Sequence, residues 1–160
     1  MKSLFNIIQE KLKIGSKSKI SNDKGILDKD INSLDELHDV INQYFKLTDF
    51  NTVTSPIERT NQKWKPEWQG NIVVGPHFYV TFYKDPKNPI FRKYKLRFAE
   101  YRDYFLMQML EYKKGQIYYS KVFGISDYHE FRVGYNLLKF IENVVKHTKN
   151  PNILEIFKEL

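Results

Sequence analysis

Hydrophobic and polar positions change period several times along this chain. Leu4, Phe5, Ile8 and Leu12 recur at helical spacing between residues 3 and 14, with lysines at 2, 11 and 13, and Gly15 ends the pattern. This predicts a short amphipathic helix whose stripe packs on the domain. The stretch GSKSKISNDKG, residues 15–25, is polar and bounded by glycines, and reads as a flexible connection. Ser33-Leu34-Asp35-Glu36 then forms a capping box, in which the serine oxygen accepts from the Glu36 amide while the Glu36 carboxylate reaches back. Leu34, Leu37, Val40, Ile41, Tyr44 and Phe45 follow on one stripe, predicting a helix to about Leu47 that faces a core.

From Thr48 to Gln69 neither period holds, and Pro56 and Pro66 punctuate a polar stretch that contains Trp64 and Trp68. It reads as a loop whose tryptophans fold back over a sheet edge or anchor a partner. Beyond Gly70 the period becomes two. Residues 77–84 place Phe78, Val80 and Phe82 on one face and His77, Tyr79, Thr81 and Tyr83 on the other. Asp85-Pro86-Lys87-Asn88-Pro89 is a turn, because its prolines interrupt a ladder. In the next strand Tyr94, Leu96 and Phe98 share the inward face, and Lys93, Lys95 and Arg97 the outward one. Residues 104–123 suit either a helix or a hairpin. The hairpin is preferred, with Lys113-Lys114-Gly115 as a three-residue loop and Tyr112 opposite Gln116. That register gathers Phe105, Met107, Met109, Ile117, Tyr119 and Phe123 on one face.

Ser126-Asp127 opens what reads as the longest helix, closed by Asn150-Pro151, with Lys146 and His147 in its last turn. Phe131, Tyr135, Leu138, Ile141 and Val145 form its stripe, and Arg132, Asn136, Lys139, Asn143 and Lys146 its opposite side. Residues 152–160 form a last short helix. The expected architecture is a single α+β domain over residues 1–160. It has two amino-terminal helices, an antiparallel sheet of four or five strands over about residues 72–123, and a long and a short carboxy-terminal helix packed on one sheet face.

Composition changes this picture little. A chain of 160 residues, 41% hydrophobic, buries about 70% of its unfolded surface and requires no staple. The lack of cysteine excludes thiol nucleophiles and thiolate metal sites, and fits a reducing compartment. The amino terminus is broken by Asn6, Gln9 and Glu10 before any signal-like apolar run, so a soluble cytoplasmic protein without a membrane span is expected. The net charge of +7 points to an acidic or polyanionic partner. Most of the cations are lysines, which lack the bidentate fork that reads bases.

No spacing names a reaction. The histidines at 38, 77, 129 and 147 are scattered, Gly75-Pro76-His77 is not a phosphate loop, and no serine sits on a nucleophile elbow. Glu111-Tyr112-Lys113 has the acid-x-Lys form of a metal-dependent nuclease, with Asp85 or Asp103 as the preceding acid and Glu36 as a further ligand. A chain this rich in lysine contains such triplets by chance. The leading expectation is therefore a non-enzymatic interaction protein without metal or cofactor. Its aromatic and basic face, Trp64, Trp68, Tyr79, Tyr83, Lys93, Lys95 and Arg97, would meet another, acidic protein. Arg132, Lys139 and Lys146 make a secondary basic face. The alternatives are single-stranded nucleic acid stacked on the same sheet face, and the nuclease.

Overall fold

A computed structural model of the chain describes residues 25–64, 72–85, 88–113, 116–119, 121–122, 125–126 and 128–158. The predicted helix at 3–14, the connection at 15–25 except Gly25, and Trp68 lie outside the described residues. Helix α1 (Gly25–Asp28) is a single turn, followed by α2 (Leu34–Lys46). Ten strands come next: β1 (Thr52–Thr54), β2 (Gln62–Trp64), β3 (Ile72–Val74), β4 (His77–Asp85), β5 (Asn88–Tyr101), β6 (Tyr104–Lys113), β7 (Gln116–Tyr119), β8 (Lys121–Val122), β9 (Ile125–Ser126) and β10 (Tyr128–Arg132). Helices α3 (Leu137–His147) and α4 (Pro151–Lys158) end the order. This is an α+β fold, as the periodicities imply.

The main sheet is antiparallel in the order β1-β4-β5-β6-β10. β7 pairs with β6 as well, taking Leu110–Lys113 while β10 takes Tyr104–Gln108, so the two share one side of β6. Separate two-stranded sheets are formed by β2 with β3 and by β8 with β9.

The predicted second helix is observed. Ser33 sits in extended conformation and its hydroxyl accepts from the Glu36 amide at 3.2 Å. The Glu36 carboxylate reaches one residue further back than a capping box requires, accepting from the Asn32 amide at 3.0 Å. Leu34, Leu37, Val40, Ile41, Tyr44 and Phe45 are all buried. They meet Phe78, Val80, Phe82, Tyr94, Leu96, Phe98, Phe105, Met107 and Met109 from one face of the sheet, together with the apolar stripes of α3 and α4. Aromatic pairs join the layers: Phe45 meets Phe82 edge-on at 5.2 Å, and Phe131 lies 4.4 Å from Phe140.

Four expectations are corrected. The long helix does not begin at Ser126: residues 128–132 form a strand against β6, and the helix starts at Leu137 with Asn136 as its cap. Phe131 fits both periods, and the strand prevails because β6 otherwise leaves that side unpaired and because Gly134 turns the chain at φ 99°. Arg132 therefore belongs to a strand, and the basic side of α3 is reduced to Lys139, Asn143 and Lys146. Second, the presumed loop at 48–69 contains β1 and β2. Three-residue strands are too short for a period of two to be legible. Third, Ile72–Val74 pairs with β2 in a sheet of its own and not in the main sheet. Fourth, the β6–β7 register is Tyr112 opposite Ile117 and Lys113 opposite Gln116. This is a one-residue slip from the expected pairing, so Ile117 and Tyr119 stand in register with Tyr112 and Leu110.

Asn150 links the carboxy-terminal helices to the sheet. Its side-chain oxygen accepts from the Asn152 amide at 2.9 Å, capping α4, whose first residue Pro151 lacks an amide hydrogen that would otherwise need a partner. Among the described residues no helix is long and apolar enough to cross a membrane.

Candidate binding face

The sheet has a second face, set by the alternate residues of each strand. Registers Tyr79–Arg97–Gln108 and Val53–Thr81–Lys95–Leu110 run across it as neighbouring rows. The β2–β3 pair lies over part of this face. Trp64 and Val74 pack with Ala99 and Leu106 in a small second core, to which Ile72, Tyr101 and Tyr104 add partly buried surface.

The cover reaches the middle of the predicted basic face. Arg97 is only 4% exposed and Trp64 is fully buried. The Arg97 guanidinium carbon stands 3.9 Å from the centre of the Trp64 ring. Its Nε and Nη2 both donate to Gln108 Oε1, at 3.1 and 2.7 Å. Trp64 Nε1 and the Tyr79 hydroxyl each donate to Gln62 Oε1 at 3.0 Å. The Lys95 ammonium lies 4.2 Å from the Tyr79 ring centre. Arg97, expected on the outward side, is thus taken into the protein. A buried cation requires a ring and an acceptor around it, and Trp64 and Gln108 supply them.

What remains open on this face is narrower than the sequence suggests. Tyr79, Tyr83, Thr81 and Lys95 are half-buried, and Val53 on the edge strand β1 is 56% exposed. Lys93 takes its place in β5 beyond Tyr94. Arg132, Lys139 and Lys146 are exposed: Arg132 is on β10, and the two lysines lie two turns apart on α3, where the Lys139 ammonium is 4.8 Å from the Tyr135 ring centre. Gln62 and Gln108 were not singled out from the sequence. Gln108 left a trace there, as the one polar residue inside the apolar run FLMQML.

Two histidines are fixed by backbone. His38 Nε2 donates to the Ser55 carbonyl at 2.8 Å, and its ring meets Phe78 edge-on. Buried His77 has Nδ1 3.0 Å from the Gly75 carbonyl and Nε2 3.1 Å from Glu58 Oε2, pinning β4 to the segment before β2. Of the residues weighed for the nuclease, Asp85, Glu111 and Lys113 have side chains outside the described residues. Asp103 is in the β5–β6 turn, at the opposite end of β6 from Glu111, about 27 Å away along the strand. Glu36 is engaged at the α2 cap. Among the described residues no three His, Asp or Glu side chains come together as metal ligands would. An open cleft of about 570 Å³ lies beside the β5–β6 turn, lined by Ile72, Val73, Gly75, Glu100, Tyr101 and Arg102.

No family model matches the sequence, and comparison with curated proteins and with solved structures finds no match.

Proposed function

We propose that the chain is a non-enzymatic interaction domain that binds another protein, one with an acidic surface, through the open part of the outer sheet face. The burial of Trp64 and Arg97 against each other carries this reading. A platform for stacked bases needs exposed rings and cations, and here the central ring and the central cation are occupied. The remaining Tyr79, Tyr83, Lys95 and Val53 combine aromatic area, one positive charge and an apolar edge, the mixture found in protein interfaces. The excess of lysine steers an acidic partner without reading its sequence.

The test is affinity capture of the tagged chain beside a Val53→Ser, Tyr83→Ser, Lys95→Glu variant, followed by calorimetry with the partner that co-purifies in stoichiometric amount. The expected result is one acidic protein whose affinity falls at least tenfold in the variant while the melting temperature holds. Equal affinity for both forms removes this face from the interface and overturns the reading.

A further inference from the structure

The main sheet ends in two edge strands, β1 and β10, and they are guarded differently. β10 carries exposed Glu130 and Arg132, and charged side chains on an edge discourage another strand from pairing there. β1 carries no charge. The residues 50–57, FNTVTSPI, are uncharged between Asp49 and Glu58, in a chain of which 28% is charged. Thr52, Val53 and Thr54, which make up the strand, are all branched at Cβ, the type best suited to a strand, and Val53 is 56% exposed.

Backbone alternation fixes what this edge offers. The Tyr83 amide donates to the Asn51 carbonyl at 3.0 Å and the Ser55 amide to the Tyr79 carbonyl at 2.8 Å, with Val53 opposite Thr81 between them. Asn51, Val53 and Ser55 therefore turn their backbone groups toward β4. Thr52 and Thr54, at the alternate positions, turn theirs to the open side of the sheet. An extended strand with a matching row of groups satisfies them. A second copy of β1 presents such a row. Related by a two-fold axis at Val53, the second copy sets its Thr54 opposite Thr52 and its Thr52 opposite Thr54, and each opposed pair exchanges both backbone bonds. The two Val53 residues then form the close pair, with Cα atoms about 4.5 Å apart and side chains in contact. Because residues 50–57 are uncharged, this pairing sets no like charges against each other in a chain of net charge +7.

We propose that β1 is a self-association edge, at which two copies of the chain pair antiparallel about Val53 and join their main sheets into one. The interface is isologous and closes on itself, so it gives a dimer and not a filament. It goes beyond the preceding reading and concerns the edge of the sheet instead of its face; the two share only Val53. A three-residue edge falls well below the area of a permanent interface, so the dimer is reversible and forms at high protein concentration.

The experiment follows the full chain by sedimentation velocity from about 10 μM to about 1 mM, where weak interfaces dissociate. Thr54→Pro is set beside the parent. It removes an outward amide hydrogen and no bond to β4, and it leaves Val53, Tyr83 and Lys95 in place, so its outcome is separate from that of the sheet face. Val53→Lys and Val53→Glu put charges at the axis without altering the backbone, and they serve if thermal unfolding shows that the proline impairs folding. The expected result is a parent dimer whose dissociation constant rises at least tenfold in Thr54→Pro and in each Val53 variant. An equimolar mixture of Val53→Lys and Val53→Glu is expected to recover pairing to within about threefold of the parent, because unlike charges then meet across the axis. A parent that remains monomeric over the whole range overturns the proposal and leaves the edge to a strand of another protein. Dimers that every variant retains lie elsewhere on the molecule and overturn it as well. So does a mixture that fails to pair, since the axis then does not pass through Val53.

Discussion

Arg97 and Trp64 are packed face to face, guanidinium on indole at 3.9 Å, beneath a two-stranded cover that leaves 4% of the arginine exposed. The pair joins two sheets: Trp64 belongs to β2, Arg97 to the central strand β5. Removing a hydrogen-bonded acceptor from a buried arginine costs about 1.5–3 kcal/mol. Gln108→Ala is therefore expected to lower unfolding free energy by about that amount. The double change Arg97→Met, Gln108→Leu, which removes charge and acceptor together, is expected to restore most of it. Urea denaturation of the three variants checks this, and a double variant no more stable than Gln108→Ala would refute the arrangement.

Tyr44 offers a test of burial without a partner. Its ring contacts Phe45 and Phe157, while among the described residues its buried hydroxyl finds no hydrogen-bond partner. Tyr44→Phe removes a desolvated group that makes no bond, and is expected to leave stability unchanged or raise it by about 1 kcal/mol. A loss above that amount, read from urea midpoints at pH 7, would mean that the hydroxyl is paired.

The same residue sets an alkaline limit. Burial raises the Tyr44 phenol well above its ordinary value of 10.0. The folded chain thus keeps a proton that the unfolded chain loses above pH 10. The contribution is complete below pH 10 and declines as pH rises further, by up to about 1.4 kcal/mol per pH unit. Stability measured between pH 9 and 11 should fall less steeply in Tyr44→Phe than in the parent; parallel curves would exclude the effect.

Arg102 is held at φ 55° in the two-residue turn between Tyr101 and Tyr104, a conformation that suits glycine. Arg102→Gly relieves that strain at the expense of a more flexible unfolded chain, and a net gain of about 0.5–1 kcal/mol is expected. Arg102→Val, branched at Cβ, should lose more than that. Melting temperatures that move in the opposite order would show that the turn is not strained.

At the start of α2, Ser33 and Glu36 satisfy two amides through their side chains. Ser33→Ala is expected to reduce stability by about 1 kcal/mol, and Ser33→Asp to preserve it. Thermal unfolding distinguishes the two, and an unchanged melting temperature in the alanine variant would remove the cap from the account.

Several elements are legible in the chain because their signal is local. The α2 stripe and its serine cap, the period-two faces of β4 and β5, and the β6–β7 hairpin in outline depend on residues a few positions apart. One hydrophobic face per element follows from solvent exclusion alone. The second face of the sheet was legible only as a pattern of rings and cations. Arg97 and Lys95 share the same alternation, each between two apolar or aromatic residues, yet one is sealed under Trp64 and the other is half-open. The difference arises from β2 and β3, two three-residue strands whose pairing carries no sequence period. The boundary at residue 126 failed for a related reason: Phe131 satisfies a helix and a strand equally, and the free side of β6 decided between them. Sequence by itself determined which residues are apolar, where helices can start and where strands alternate. Only the tertiary structure decided which polar face is covered, because that depends on contacts between segments far apart in the chain, where the burial of one arginine requires a ring and an acceptor brought from two other strands.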